Sequence, residues 1–164
     1  MKRTLAGYGF TVLELLVVIA LILFLLSLIV IGAVYARRKA QVDRTQALLF
    51  RVELCATRYH QAMKEYPPPT STDPGTLWRY LGRPAKNPRN GNSYSPPEKF
   101  MADELIAYDD PNHGPSFKVV DAWRTPVRFC GDPDQVRSRN GLDIESAGLD
   151  KQFNSPDDQT PVRQ

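Results

Sequence analysis

The chain is 164 residues long, which allows about one domain of ordinary size, and it carries a formal charge of +3. Positive and negative residues are mixed along its polar part, which argues against the concentrated basic face of a nucleic-acid binder. Its hydrophobic share of 42% is unevenly spread: one near-continuous apolar segment lies close to the N-terminus and the remainder is polar.

That segment comes first in chain order. Leu15 to Val34 is apolar apart from Ser27 and Gly32. About twenty residues at about 1.5 Å each span roughly 30 Å, the thickness of a bilayer's hydrocarbon core. All 14 prolines follow Tyr66. Proline removes a donor and clashes inside a helix, so the first 66 residues can form one unbroken helix and the rest cannot be mostly helical. The natural boundary is Tyr66-Pro67-Pro68-Pro69.

A secretory signal peptide would place small residues for cleavage after the apolar run. Here the run ends in Val34-Tyr35-Ala36-Arg37-Arg38-Lys39, a poor match. A signal-anchor helix fits better. Lys2 and Arg3 hold the N-terminus in the cytoplasm, although Arg37 to Lys39 oppose that orientation by simple counting. The Arg37-Arg38-Lys39 cluster reads as a membrane-interface anchor, with a phospholipid-headgroup or filament contact as the sharper alternatives. Neither signal peptide nor anchor accounts for Glu14. An acidic residue costs about 2.5 to 3.5 kcal/mol at mid-membrane and less near the edge. It is either a tolerated interfacial carboxylate or one with a use.

The stretch Gly9-Phe10-Thr11-Val12-Leu13-Glu14-Leu15-Leu16-Val17-Val18-Ile19 closely resembles the processing site of type IV pilins and type II secretion pseudopilins. The resemblance implies a cytoplasmic leader over residues 1–9, cleaved by a prepilin peptidase between Gly9 and Phe10. It also implies N-methylation of Phe10 and a transmembrane, filament-core helix over 10–35. Glu14 becomes the fifth residue of the mature chain, where it can meet the new amine of a neighbouring subunit. A buried ion pair is favourable only with both charges present and well placed, so the pair would set register more than stability. Loss of Lys2 and Arg3 takes the formal side-chain charge from +3 to +1.

Past the membrane, Val42, Leu49, Val52, Ala56, Tyr59 and Met63 mark one face of an amphipathic helix, widened by Leu48, Cys55 and Ala62. Arg44, Arg51, Arg58 and Lys64 take the opposite face. The helix is expected from Thr11 to Glu65, roughly 80 Å, with 36–66 as the spine of a soluble domain that runs to 164. The chain offers the first half no partner, so it must bury itself in lipid or in other subunits. Tyr66-Pro67 ends the helix. Thr76 to Gly82 reads as a short helix packing Leu77, Trp78 and Leu81 on the spine, and Arg83 to Pro97 as an exposed loop. Met101 to Tyr108 fits a short helix or a strand. Two alternating strands follow, Pro126 to Cys130 and Gly141 to Ser146. Joined by a turn over 131–140, they form an antiparallel hairpin burying Val127, Phe129, Leu142 and Ile144.

Asp121-Ala122-Trp123-Arg124-Thr125-Pro126-Val127-Arg128-Phe129 is similar to the D-P-W-G-x-P-Y-x-Y segment of the major pseudopilin of type II secretion. Asp143-Ile144-Glu145-Ser146-Ala147-Gly148-Leu149-Asp150 is similar to that family's D-I-x-S-x-G-x-D-G segment. With the N-terminus, the likeness covers roughly half the chain; residues 83–120 do not share it. It implies an α+β, pilin-like fold, a long N-terminal α-helix with a transmembrane first half, packed on a small antiparallel β-sheet.

From spacing alone the acidic tail at Asp150 to Asp158 reads as solvated, because no EF-hand pattern is present. The resemblance implies a calcium site there, in which Asp150, Asp157 and Asp158 match the family's aspartates. Lys151 stands where the family has glycine. The two cysteines, Cys55 and Cys130, stand as buried free thiols or, in an oxidising compartment, as a disulfide. His60 and His113 have no partner at ligand spacing, Trp78 and Trp123 read as core or platform aromatics, and no catalytic motif is present, which argues against an enzyme.

The expectation is therefore a structural subunit of a type II secretion pseudopilus. It would be a single-pass protein of the bacterial inner membrane with its soluble domain in the periplasm. Its partners would be copies of itself, minor pseudopilins, the prepilin peptidase and an inner-membrane assembly platform. A type IV pilin or minor pilin for adhesion, motility or DNA uptake is the near alternative. A membrane-anchored extracytoplasmic binding module that never polymerises is the distant one.

Overall fold

The computed structural model describes residues 11–71, 73–131 and 142–161. It is α+β: one long N-terminal helix, α1 (Val12–Met63), and small antiparallel sheets. The chain divides into two units, one ending at Lys39 and the other starting at Ala40.

In the first unit every described residue is helical from Val12 onward, and every one is exposed. The only polar side chain between Leu15 and Val34, Ser27, satisfies itself by donating to the Phe24 carbonyl at 2.6 Å. This part of α1 is long and apolar enough to cross a membrane.

In the second unit α1 buries Leu48, Leu49, Val52, Cys55, Ala56, Tyr59 and Met63, the stripe expected from the spacing; Val42 and Ala62 are only half-buried. One expected surface residue is not on the surface. Arg51 is buried, because Nη1 donates to Glu104 Oε2 at 2.7 Å and Nε lies 3.0 Å from Glu98 Oε2. The helix ends at Met63, two residues before the expected Glu65. Lys64 turns into the left-handed region at φ 66°, and Tyr66 stacks on the His60 ring at 4.2 Å.

A single π-helical turn, Leu77–Leu81, follows. Leu77 and Leu81 enter the core, while Trp78 stays half-buried between Phe117 and the Arg83 guanidinium. The expected exposed loop at 83–97 is exposed over most of its length and is tied down at Asn87 and Tyr94, its two buried residues. Strands β1 (Ala85–Lys86) and β2 (Ser93–Tyr94) pair antiparallel, and Tyr94 is buried with its hydroxyl donating to the Leu81 carbonyl at 2.8 Å. The Asn87 side-chain amide donates to the Met63 carbonyl at 3.0 Å, satisfying an acceptor that the end of α1 leaves open.

Ala102–Glu104 is a 3-10 turn, and the chain then extends into β3 (Leu105–Asp110), so Met101 to Tyr108 holds both structures that the sequence allowed. β3 pairs with β4 (Gly114–Val119) around a turn closed by Gly114 at φ 72°. β5 (Arg128–Cys130) pairs with β6 (Asp143–Glu145), with Phe129 opposite Ile144. Val127, Phe129, Leu142 and Ile144 are all buried, as the alternation predicts; most of the expected turn, residues 132–140, lies outside the described residues. Among the described residues the sheet content is three two-stranded pairs, where one small sheet was expected.

Asp121 is the knot between the two segments that carried the narrower resemblance. Its Oδ1 accepts from the Trp123 and Thr125 amides at 2.9 and 2.8 Å, and its Oδ2 from the Ser146 hydroxyl at 2.6 Å. Three donors satisfy this buried carboxylate on both oxygens, so the D-x-W-x-x-P turn and the end of β6 hold each other.

Candidate functional site

The N-terminus of α1 carries the first candidate site. Gly9 and Phe10, the expected cleavage pair, lie outside the described residues. Glu14 is described, and it does something the sequence reading did not name. The Thr11 amide donates to Glu14 Oε2 at 2.8 Å and the Thr11 hydroxyl to the same oxygen at 3.0 Å. The Glu14 amide donates back to the Thr11 hydroxyl at 3.2 Å. This is a capping box, in which N-cap threonine and N3 glutamate satisfy each other's orphan amides. The signal was present as Thr11-x-x-Glu14 ahead of an apolar run. Within the chain Glu14 therefore closes a helix end, through Oε2 alone.

The C-terminal loop is the second. Ser146 and Gln159 clamp its ends with a pair of backbone hydrogen bonds, each 2.9 Å. Asp157 Oδ2 accepts from the amides of Leu149 and Asp150 at 2.7 and 3.1 Å, and its Oδ1 from the Ser155 hydroxyl at 2.5 Å. These donors hold its carboxyl below the usual range, the Ser155 hydroxyl foremost. Asp158 accepts from the Asn154 amide and the Ser155 hydroxyl, and Asp150 from the Gln152 amide. Gly148 at φ 63° lets the chain pass against the Asp157 carbonyl where a Cβ would collide. Lys151 and Asn154 also take positive φ.

Calcium needs six to eight oxygens converging on one point. The three aspartates named from sequence do not converge in that way, and each spends oxygens on the loop's own donors.

Ligand atoms of a different trio do come together. Asp73, Asp110 and His113 lie within 4.8 Å of one another, the only such group among the described residues. Sequence spacing could not show it, because the β3–β4 turn and the segment before the π-helical turn meet only on folding. Its centre is already filled by a cation. The Arg79 guanidinium pairs with Asp73 through Nη1 and with Asp110 through Nη2, the latter at 2.6 Å. The Tyr108 hydroxyl bonds both carboxylates and His113 Nδ1 lies 3.2 Å from Asp110. The Asn112 amide and Arg79 drive the Asp110 carboxyl far below the usual range. Two carboxylates bridged by one guanidinium form a structural clamp.

Both cysteines are free thiols. Cys55 is buried and turned toward Tyr94 and the Glu98 backbone, and burial pushes its thiol up, which makes it unreactive. Phe129 points into the core, so its neighbour Cys130 leaves β5 on the other face. The disulfide alternative is not the arrangement found.

Compared with known proteins, the chain matches no family model, no characterised protein and no solved structure.

Proposed function

We propose that this chain is a pilin-like structural subunit of a type II secretion pseudopilus. It is cut between Gly9 and Phe10 by a prepilin peptidase, methylated on Phe10, and held in the inner membrane by its apolar helix. Growth of a periplasmic filament from such subunits pushes exported proteins outward. The subunit acts mechanically and not as an enzyme. The observation that carries the reading is the first unit of the chain: a continuous helix, exposed at every described residue and opening on the Thr11–Glu14 box. Such a surface needs lipid before assembly and other subunits after it. The Asp121–Ser146 knot adds support, because it joins two segments that each resemble the secretion subunit.

In this mechanism Glu14 changes partners. Alone, its Oε2 caps its own helix. In the filament its charge meets the Phe10 amine of the next subunit, which restores pairing at a place where an isolated carboxylate is costly. Co-expression with a prepilin peptidase and a secretion-type assembly platform tests the reading. The native chain should give filaments, and Glu14→Leu should remain in the membrane fraction without them. Filaments from Glu14→Leu at native yield would refute it.

A further inference from the structure

We infer that Arg37 and Arg38 bind the phosphate groups of anionic phospholipids in the leaflet away from the leader. This inference rests on the membrane-spanning reading above.

The apolar run ends at Val34, and Tyr35 follows with 70% of its surface exposed. Tyrosine at that place is the usual mark of headgroup depth. Arg37, Arg38 and Lys39 come within the next turn, all exposed. At about 100° per residue the Arg37 and Arg38 side chains diverge by about 100° around the helix. A protein partner on one side calls for a stripe at i, i+3, i+4 and i+7. Two adjacent cations that diverge do not make such a stripe, and they suit headgroups, which lie on every side of the helix.

The arginines also lack an acidic partner along the helix. No Asp or Glu occurs between Glu14 and Asp43. The residues three and four away from Arg37 are Val34, Ala33, Ala40 and Gln41; for Arg38 they are Tyr35, Val34, Gln41 and Val42. Lys39 differs, since Asp43 stands one turn on, and it is not needed here. Guanidinium groups bind phosphate with two parallel donors, which an ammonium cannot do. With the leader in the cytoplasm, this cluster lies on the side where excess Lys and Arg oppose topology. A headgroup contact there offsets that penalty, and it must be given up when a subunit leaves the membrane.

The test uses the full chain reconstituted in phosphatidylcholine bilayers with trace spin-labelled phosphatidylglycerol or phosphatidylcholine. The motionally restricted fraction of each label gives their relative association with the helix. The native chain should favour phosphatidylglycerol by about three- to fivefold, with the preference reduced in molar salt. Arg37→Gln/Arg38→Gln should bring the ratio to about one, and Arg37→Lys/Arg38→Lys to an intermediate value. A native ratio near one, or a ratio that the Gln pair leaves unchanged, overturns the inference while leaving the membrane reading intact. Absence of any restricted lipid, with either label, refutes both together.

Discussion

Glu14 accepts both Thr11 hydrogen bonds through one oxygen, so replacing it with alanine removes a helix cap as well as a charge. Glutamine separates the two, because it can still complete a capping box. Glu14→Gln should keep the helix start, whose loss costs about 1 kcal/mol, and still fail to assemble; helix content by circular dichroism and filament yield report the two effects. Native filament yield from Glu14→Gln would mean that the cap, and not the charge, is what assembly needs. Asp110 is a residue of the second unit whose ionisation the fold fixes. Its folded pKa lies well below its ordinary value, so it contributes stability that is fully present above about pH 4. That contribution declines as the pH drops toward the folded pKa. Arg79→Gln should lower the melting temperature at pH 7 and make the loss between pH 7 and pH 3 shallower. Equal slopes in the two proteins would show that the Arg79–Asp110 pair does not couple to folding.

Among the elements, the segment from Ala85 to Glu104 is held to α1 by a few long-range contacts. Glu104 is buried and takes both the Arg51 guanidinium and the Met101 amide on Oε2. Removing one partner of a buried pair leaves an uncompensated charge, which costs about 3 to 5 kcal/mol. Arg51→Leu should therefore destabilise by about that amount in urea unfolding, and Arg51→Leu/Glu104→Leu should recover most of it. If the double variant is no more stable than the single, the pair is not the tie. This segment was the least legible in the sequence. Its Pro, Asn, Gly and Ser content marks an exposed loop correctly, but the points where it is pinned depend on Arg51, Tyr94 and Asn87 finding distant partners. The same blindness placed Arg51 on the outer face: helical periodicity gives the angle of a residue, not what packs over that angle. Where short-range pattern suffices, the reading succeeded. Alternation placed Phe129 and Ile144 inward, and the 3.6-residue period found Leu49, Val52, Ala56 and Tyr59. The Thr11 box is legible too, in Thr11-x-x-Glu14 ahead of an apolar run. The C-terminal loop belongs at this scale too. Since Asp150, Asp157 and Asp158 serve the loop's own donors, its stability should not depend on calcium. Melting temperatures in millimolar calcium and in chelator should agree; a clear rise with calcium would mean that the aspartates rearrange to bind the ion.

For the whole molecule, the central claim concerns what happens to the chain after synthesis. The first unit is an exposed apolar helix and the second has its own core, built on Leu48, Leu49, Val52, Phe129 and their neighbours. The second unit buries its own apolar residues, whereas every described residue of the first is exposed, and that asymmetry is what a subunit stored in a membrane and assembled into a filament requires. Cleavage would remove two positive side chains and create one amine. The most direct test is intact and N-terminal peptide mass spectrometry of the protein purified from cells that contain its prepilin peptidase. The account predicts a chain beginning at N-methylated Phe10, with Met1 to Gly9 absent. A chain that begins at Met1, recovered intact beside an active peptidase, would contradict it.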